Sequence, residues 1–346
     1  MLALLYRSAE LAESINKRDG VEKLSREDTL KRILASGFVP DLASLEQEQL
    51  EVELATPRDS LFEPDYHLAD VEVYTITMDK LLCVSRGLGL LMHVDPLLSQ
   101  PQGGSGDEKT SLALRLPSWV IDWSKTMTAM PLYPHFYASL KSQHLMLPGE
   151  IDGRLIVQGH QLDTIVHVPP TPPQSALPCL SNLASWKVLA HAQYLRDRNP
   201  DEDEIDKAFC HTIMGGLLAR KIQGIEYELE DVQSFLTLIE KSERLIGTLV
   251  DLYTNGKSGK SIQIMTNLTN ICNKRKLAIL ATGRMGLVPE NGQVGDKLFL
   301  LKGSDVPFVL REDEKGSWSL GGHCYVHGAM FGEAFEEGRC REMVLV

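Results

Sequence analysis

Three shortages narrow what this chain does: cations, long apolar runs and paired cysteines. Lys and Arg number 35 against 47 Asp and Glu, giving a formal net charge of -12. Phosphate backbones and anionic membranes are bound through clustered cations, so neither nucleic acid nor a membrane is an expected partner. The densest basic run, Lys274-Arg275-Lys276, stands before a strand pattern and reads as a solvated turn. No stretch approaches the ~20 apolar residues that cross a bilayer, and Met1 to Tyr6 is too short an apolar run for a secretory signal. The six cysteines, Cys83, Cys179, Cys210, Cys272, Cys324 and Cys340, include no CxxC pair. They resemble reduced thiols more than a disulfide framework, which predicts a cytoplasmic chain.

What is present suffices for a folded protein, since 43% of the 346 residues are hydrophobic. Residues 1–98 read as helical. Leu24, Leu30, Ile33 and Leu34 fall at helical spacing, Thr56-Pro57-Arg58-Asp59 breaks the pattern, and Asp65-Tyr66 opens a second run through Val71, Tyr74, Met78, Leu81 and Leu82. Gly, Ser, Pro and Gln in 99–115 predict a flexible loop. Residues 116–275 form a mixed body. Trp119 and Trp123 are expected to anchor it against the core, and Arg154–Gln158 and Gln161–Val168 to form a hairpin turning at Gly159-His160. Val168 to Pro173 follows as a rigid proline-rich connector. Asn199-Pro200 before four acids predicts a helix start, which makes that acidic run structural. Phe235, Leu236, Ile239, Ile246, Leu249 and Val250 mark a helix within Val232–Tyr253.

Residues 276–346 change period to strands, at Leu277–Ala281, Lys297–Leu301, Val306–Arg311 and Trp318–Val326. Pro307 removes a ladder donor and is expected at an edge or a strand start. The expected fold class is α+β, mainly helical in the N-terminal and central regions, with a small C-terminal antiparallel β module.

No complete enzyme active site is legible. Gly259-Lys260-Ser261 has the end of a phosphate-binding loop, but Thr254 stands where its first glycine belongs, and a helix precedes it instead of a strand. The densest chemistry is His323-Cys324-Tyr325-Val326-His327. Alternation along a strand sets His323, Tyr325 and His327 on one face and Cys324 on the other. A nucleophilic thiol needs a base within hydrogen-bond reach, and a zinc site needs four convergent ligands, so no metal or cofactor is expected. Cys324, His327 and His323 are the alternative catalytic set, with His135, His160 or Asp122 as partners that folding would have to supply. Glu333 is expected to cap or orient a loop. Trp119, Trp123, Pro307, Arg311 and Gly328 are the expected structural anchors.

Several segments, in order, resemble fungal heterokaryon-incompatibility proteins downstream of their HET domain. They are Thr56-Pro-Arg-Asp59 with Phe62, Pro64-Asp-Tyr66, Val73-Tyr74, Leu116-Pro-Ser-Trp-Val120 and Asp122-Trp-Ser124. Leu155-Ile-Val-Gln-Gly159, Asp163-Thr-Ile165, Ala208-Phe209 and His211-Thr-Ile213 follow. The run ends with Thr282 to Pro289, Gly295-Asp296, Pro307-Phe-Val-Leu-Arg311, Cys324-Tyr-Val-His-Gly328, Met330 and Gly332-Glu333. The family's HET domain is similar to TIR-type signalling domains and carries Tyr-Trp-Gly and Trp-Ile-Asp motifs, neither of which stands in this chain. The short Ala-Leu-Leu-Gly-Leu-like run that the family places between Pro-Arg-Asp and Pro-Asp-Tyr is also missing after Phe62. The resemblance implies a non-enzymatic regulatory or recognition body in fungal non-self recognition, without the signalling domain and working through an unidentified protein partner. The alternative is an accessory or tailoring protein of a fungal secondary-metabolite gene cluster, using the Cys324 and His327 region as an enzyme.

Overall fold

The computed structural model describes residues 68–85, 87–94, 116–123, 131–132, 136–142, 153–169, 178–194, 200–218, 221–222, 225–240 and 259–346. They fall in one compact unit running from Leu68 to Val346. The expected helix around Leu24 to Leu34, the 99–115 loop, Pro170 to Pro173, and Ile246, Leu249 and Val250 lie outside the described residues, whereas the expected run from Val71 to Leu82 is helical.

Five helices are described: α1 (Asp70–Ser85), α2 (Pro178–Gln193), α3 (Glu202–Ile213), α4 (Leu229–Glu240) and α5 (Gly259–Cys272). The expected start of α3 holds with a shifted cap. Asp201, not Asn199, is the N-cap, and its carboxylate accepts the Glu204 N–H at 2.7 Å. Glu202, Asp203 and Glu204 then face the positive end of the helix dipole. The Gly-Lys-Ser segment opens α5, where Lys260 holds Asp231 of α4 at 2.8 Å.

The strands are β1 (Leu155–His167), a short hairpin of β2 (Lys221–Ile222) and β3 (Ile225–Glu226), then β4 (Arg275–Leu280), β5 (Met285–Pro289), β6 (Lys297–Leu301), β7 (Phe308–Glu312), β8 (Trp318–His323), β9 (Tyr325–Val326) and β10 (Arg341–Leu345). Eight of them form one sheet in the order β10-β8-β7-β6-β1-β4-β5-β9, and β10 pairs again with β1. The last pairing closes β1, β6, β7, β8 and β10 into a ring, with β4, β5 and β9 continuing from the far half of β1. The fold is therefore α+β with a C-terminal β module, and the module is larger than the sequence pattern implied.

The expected hairpin at Gly159-His160 does not form. Leu155–His167 is one strand, paired with β10 through its first half, with β6 through its middle and with β4 at its end. Register shifts between Gln161 and Asp163, and between Ile165 and His167, mark irregularities that let it pass from the ring to the β4-β5-β9 extension. The buried positions keep one alternation along the strand, so the shift carries them to the opposite face: Leu155 and Val157 before it, Asp163 and Ile165 after it.

Both faces of the sheet are covered, so its central strands are apolar almost throughout. Strand β6 gives Leu298 to a small cluster with Ile165, Ala278, Leu280, Val288, Val309, Cys324 and Val326. It gives Phe299 and Leu301 to the large core, which includes Phe209, Ile213, Phe235 and Leu268 of the helices. Pro307 stands immediately before β7, so no ladder donor is lost inside that strand.

Trp119 and Trp123 separate. Trp119 is 1% exposed and donates its indole N–H to the Gly153 carbonyl at 2.9 Å, fixing the approach to β1. Trp123, expected beside it in the core, is 43% exposed and meets Tyr74 edge-on at 5.4 Å. The backbone turns between them, at Ser118–Val120 and again at Trp123, so helical spacing does not apply. Ser118 bridges two strands that share a single residue pair, Leu345 with Trp318. Its N–H donates to the Val346 carbonyl at 2.9 Å, its hydroxyl donates to the same carbonyl, and its oxygen accepts the Leu320 N–H at 2.8 Å.

Candidate functional site

The His323–His327 segment crosses a corner instead of running along one strand. Strand β8 ends at His323, β9 begins at Tyr325, and Cys324 sits between them as the chain leaves β7 for β5. Gly322, at φ 109°, makes the departure possible. Once the strand is broken, its three chemically interesting side chains have separate surroundings.

Cys324 is 0% exposed and belongs to the small apolar cluster. Its N–H donates to the Pro307 carbonyl at 2.9 Å, and its thiol reaches the same oxygen at 3.4 Å. Burial pushes the thiol far up, and the nearby Arg275 guanidinium only partly opposes that. A thiol held protonated is a poor nucleophile. His323 is 4% exposed, with Nε2 at 2.5 Å from an Arg275 guanidinium nitrogen. A guanidinium has no acceptor, so this imidazole nitrogen accepts and the ring proton sits on Nδ1.

Arg275 corrects the reading of the Lys274–Lys276 run as a solvated turn. It is 5% exposed, donates to the Ile271 carbonyl at 2.7 Å, and burial lowers its pKa to about 10. Only Lys274 keeps the expected exposed place, beside Glu290 at 3.3 Å. The run is divided because β4 begins at Arg275 and alternation turns that side chain inward.

His327 lies across from His211 near the end of α3, ring centroids 5.5 Å apart. Its pKa is lowered to about 4, chiefly by burial, with His211, Arg284 and Lys207 acting in the same direction and Glu333 opposing them. Burial and Lys207 also lower His211. Glu333 caps its own loop as expected, accepting the Phe331 N–H at 2.6 Å. Thus Cys324 packs among aliphatics, His323 meets Arg275 and His327 meets His211.

The remaining candidates also have structural surroundings. His160 is buried on β1; its Nε2 accepts the Glu336 N–H at 3.1 Å and its ring meets Phe335 at 5.6 Å. Asp122 is half-buried, and His135 lies outside the described residues. Among the described residues no group of three or more His, Cys, Asp or Glu side chains is placed to hold a metal ion. No described helix is long and apolar enough to cross a membrane.

Two polar brackets join residues of the motif order, and of these only Arg311 is among the expected anchors. Asp163, 4% exposed on β1, accepts the Thr164 N–H at 2.8 Å, the Thr282 N–H at 3.3 Å and the Thr282 hydroxyl. That ties β1 to the β4–β5 turn. Asp296, 5% exposed, takes two 2.7 Å hydrogen bonds from Arg311, which also reaches the Asn291 carbonyl at 3.2 Å. Hydrogen bonding to Asp296 raises the Arg311 pKa. Gly328, at φ 75°, makes the turn after His327.

Residues 252–346 match the family model of the Het-6 beta-barrel domain. No curated protein and no solved structure matches the chain. The matched stretch holds α5 and every strand from β4 to β10, the part in which Thr282–Pro289, Asp296, Arg311 and Cys324–Gly328 occur. The match falls on the C-terminal part of the chain, where the segments that resemble heterokaryon-incompatibility proteins are densest.

Proposed function

We propose that the chain is a non-enzymatic regulatory or recognition body in fungal non-self recognition, acting by contact with another protein. The Het-6 barrel match over 252–346 carries this reading. The corner chemistry supports it: a thiol with a strongly raised pKa among aliphatic side chains has the character of a packing residue. Among the motif residues, Ser118, Asp163, Thr282, Asp296 and Arg311 bracket strands of the barrel.

The test is genetic. Deletion and overexpression in the fungus that encodes the chain are scored for cell fusion and for the incompatibility reaction between unlike strains. The expected result is an altered reaction in at least one of the two; an unchanged reaction in both refutes the role. A deletion strain with an altered metabolite profile and normal incompatibility supports the tailoring-protein alternative instead.

A further inference from the structure

The C-terminal turn of α3 is held on the barrel by an unusual contact. His211 lies four residues before the first of two glycines, Gly215 and Gly216, both at positive φ (54° and 76°). The Gly216 N–H donates to the His211 carbonyl at 3.0 Å, closing the helix end. A Cβ on Gly216 would lie 3.0 Å from the Tyr325 ring and 3.1 Å from Phe136, so this bend lies directly over those two rings. On the barrel side, the His327 N–H donates to the Met285 carbonyl at 3.0 Å, which fixes the backbone that presents its imidazole to His211.

We propose that the His211–His327 contact is an acid-sensitive latch: with both imidazoles neutral it holds the end of α3 on the barrel corner, and protonation of either ring releases that end and uncovers Tyr325 and Phe136. The charges around the pair set the direction. Lys207, one turn back on α3, and Arg284, in the β4–β5 turn, are cationic, and both disfavour a charged His327. Glu333 is the carboxylate acting on His327 in the opposite sense, and it already accepts the Phe331 N–H. On the α2 side, Asp206 is engaged by His191 at 2.8 Å and by Lys187 at 3.6 Å. Where α4 meets α5, Asp231 is engaged by Lys260. A proton arriving on His327 therefore meets another imidazole and two cations against one carboxylate, and one arriving on His211 meets Lys207.

The sign follows from linkage. The closed-state His327 pKa is about 4 against an ordinary 6.5, so the open state binds the proton first. The latch is fully effective above the ordinary histidine value and weakens as pH falls from there toward the lowered one. For a partly exposed ring, the shift corresponds to opening that is roughly tenfold more frequent at pH 5 than at pH 7.

The experiment uses the full chain. Histidine ring carbon-bound protons are followed by NMR against pH, and amide exchange protection is compared at pH 7 and pH 5 for the wild type and His327→Gln. The proposal expects both rings to titrate below their ordinary value. It also expects protection of residues 210–217 to fall about tenfold more than that of α2, with the difference gone in His327→Gln. Ordinary titration of both rings overturns it, as does an equal loss of protection in His327→Gln. If His327→Gln does not fold, the wild-type titration decides alone.

Discussion

Replacing Gly159 with alanine distinguishes a continuous β1 from a hairpin more sharply than any other single change. At the turn of a two-strand hairpin, an added methyl points to solvent and costs little. In the structure Gly159 pairs with Leu301 on one side and Arg341 on the other. Its missing Cβ would lie 2.7 Å from the Leu300 carbonyl oxygen, 2.8 Å from a Leu301 methyl and 3.2 Å from the Leu301 Cα. The leucine methyl can rotate away, but the carbonyl and Cα belong to the β6 backbone, so β1 and β6 must separate by a few tenths of an ångström. Overpacking of that kind costs about 1–3 kcal/mol, and the buried strand lies at the low-compliance end of the range. A loss of about 2 kcal/mol is expected, read as a lower midpoint in urea followed by tryptophan fluorescence and as a Tm lowered by a few degrees. Gly338→Ala is the control, because no atom lies within 4 Å of its added Cβ. Its expected effect is neutral or slightly stabilising. If Gly159→Ala matches Gly338→Ala, the ring closure by β1 is wrong.

Trp119→Ala should cost about 3–5 kcal/mol, as for other buried large-to-small changes. Trp123→Ala should cost under about 1 kcal/mol, because that ring is 43% exposed; equal losses in thermal unfolding would refute the division of the pair. Alkylation of the native chain at mildly alkaline pH should label exposed Cys83 and half-exposed Cys340 well before Cys210, Cys272 and Cys324, which are buried. Burial pushes Cys210 up to about 12, and mass mapping of a rapidly labelled Cys324 would contradict its place in the small apolar cluster. A fragment of residues 252–346 alone lacks β1 and leaves edges of β4, β6 and β10 unpaired. It should be unfolded or aggregated by circular dichroism and sedimentation, and a folded, monomeric fragment would show that β1 is dispensable.

The sequence made some elements plain and disguised others for physical reasons. Strand β6 was read at its observed bounds, Lys297–Leu301, because Gly295-Asp296 and Gly303-Ser304 punctuate a strongly apolar run. The acids opening α3 were equally clear, since helix dipole and N-cap chemistry act within a few residues. β1 was misread because its punctuation, Gly159 with a polar Gln161, comes from a close interstrand approach and a register shift, which only pairing partners far along the chain can impose. The Cys324 corner failed for the same kind of reason. Period-two alternation assumes an unbroken strand, and the break depends on the Pro307 carbonyl capturing the Cys324 N–H across 17 positions. Arg275, in a basic run that looked solvated, is buried by a helix carbonyl and an imidazole brought from 48 positions away.

The site residues share one property that the motif order alone did not express. Ser118 joins β8 to the end of β10, Asp163 joins β1 to the β4–β5 turn, and Arg311 joins β7 to the β5–β6 turn. Each is a polar group placed where a strand ends or changes partner, so each satisfies backbone donors or acceptors that the ladder leaves open. Closing a sheet whose first strand lies about a hundred residues before the second demands such brackets, because no short turn fixes the register of β1. The segments that carry the resemblance are, where the structure describes them, largely those that close the barrel. Such a pattern preserves a shape and its surface more directly than it preserves a reaction, which supports the contact function proposed above.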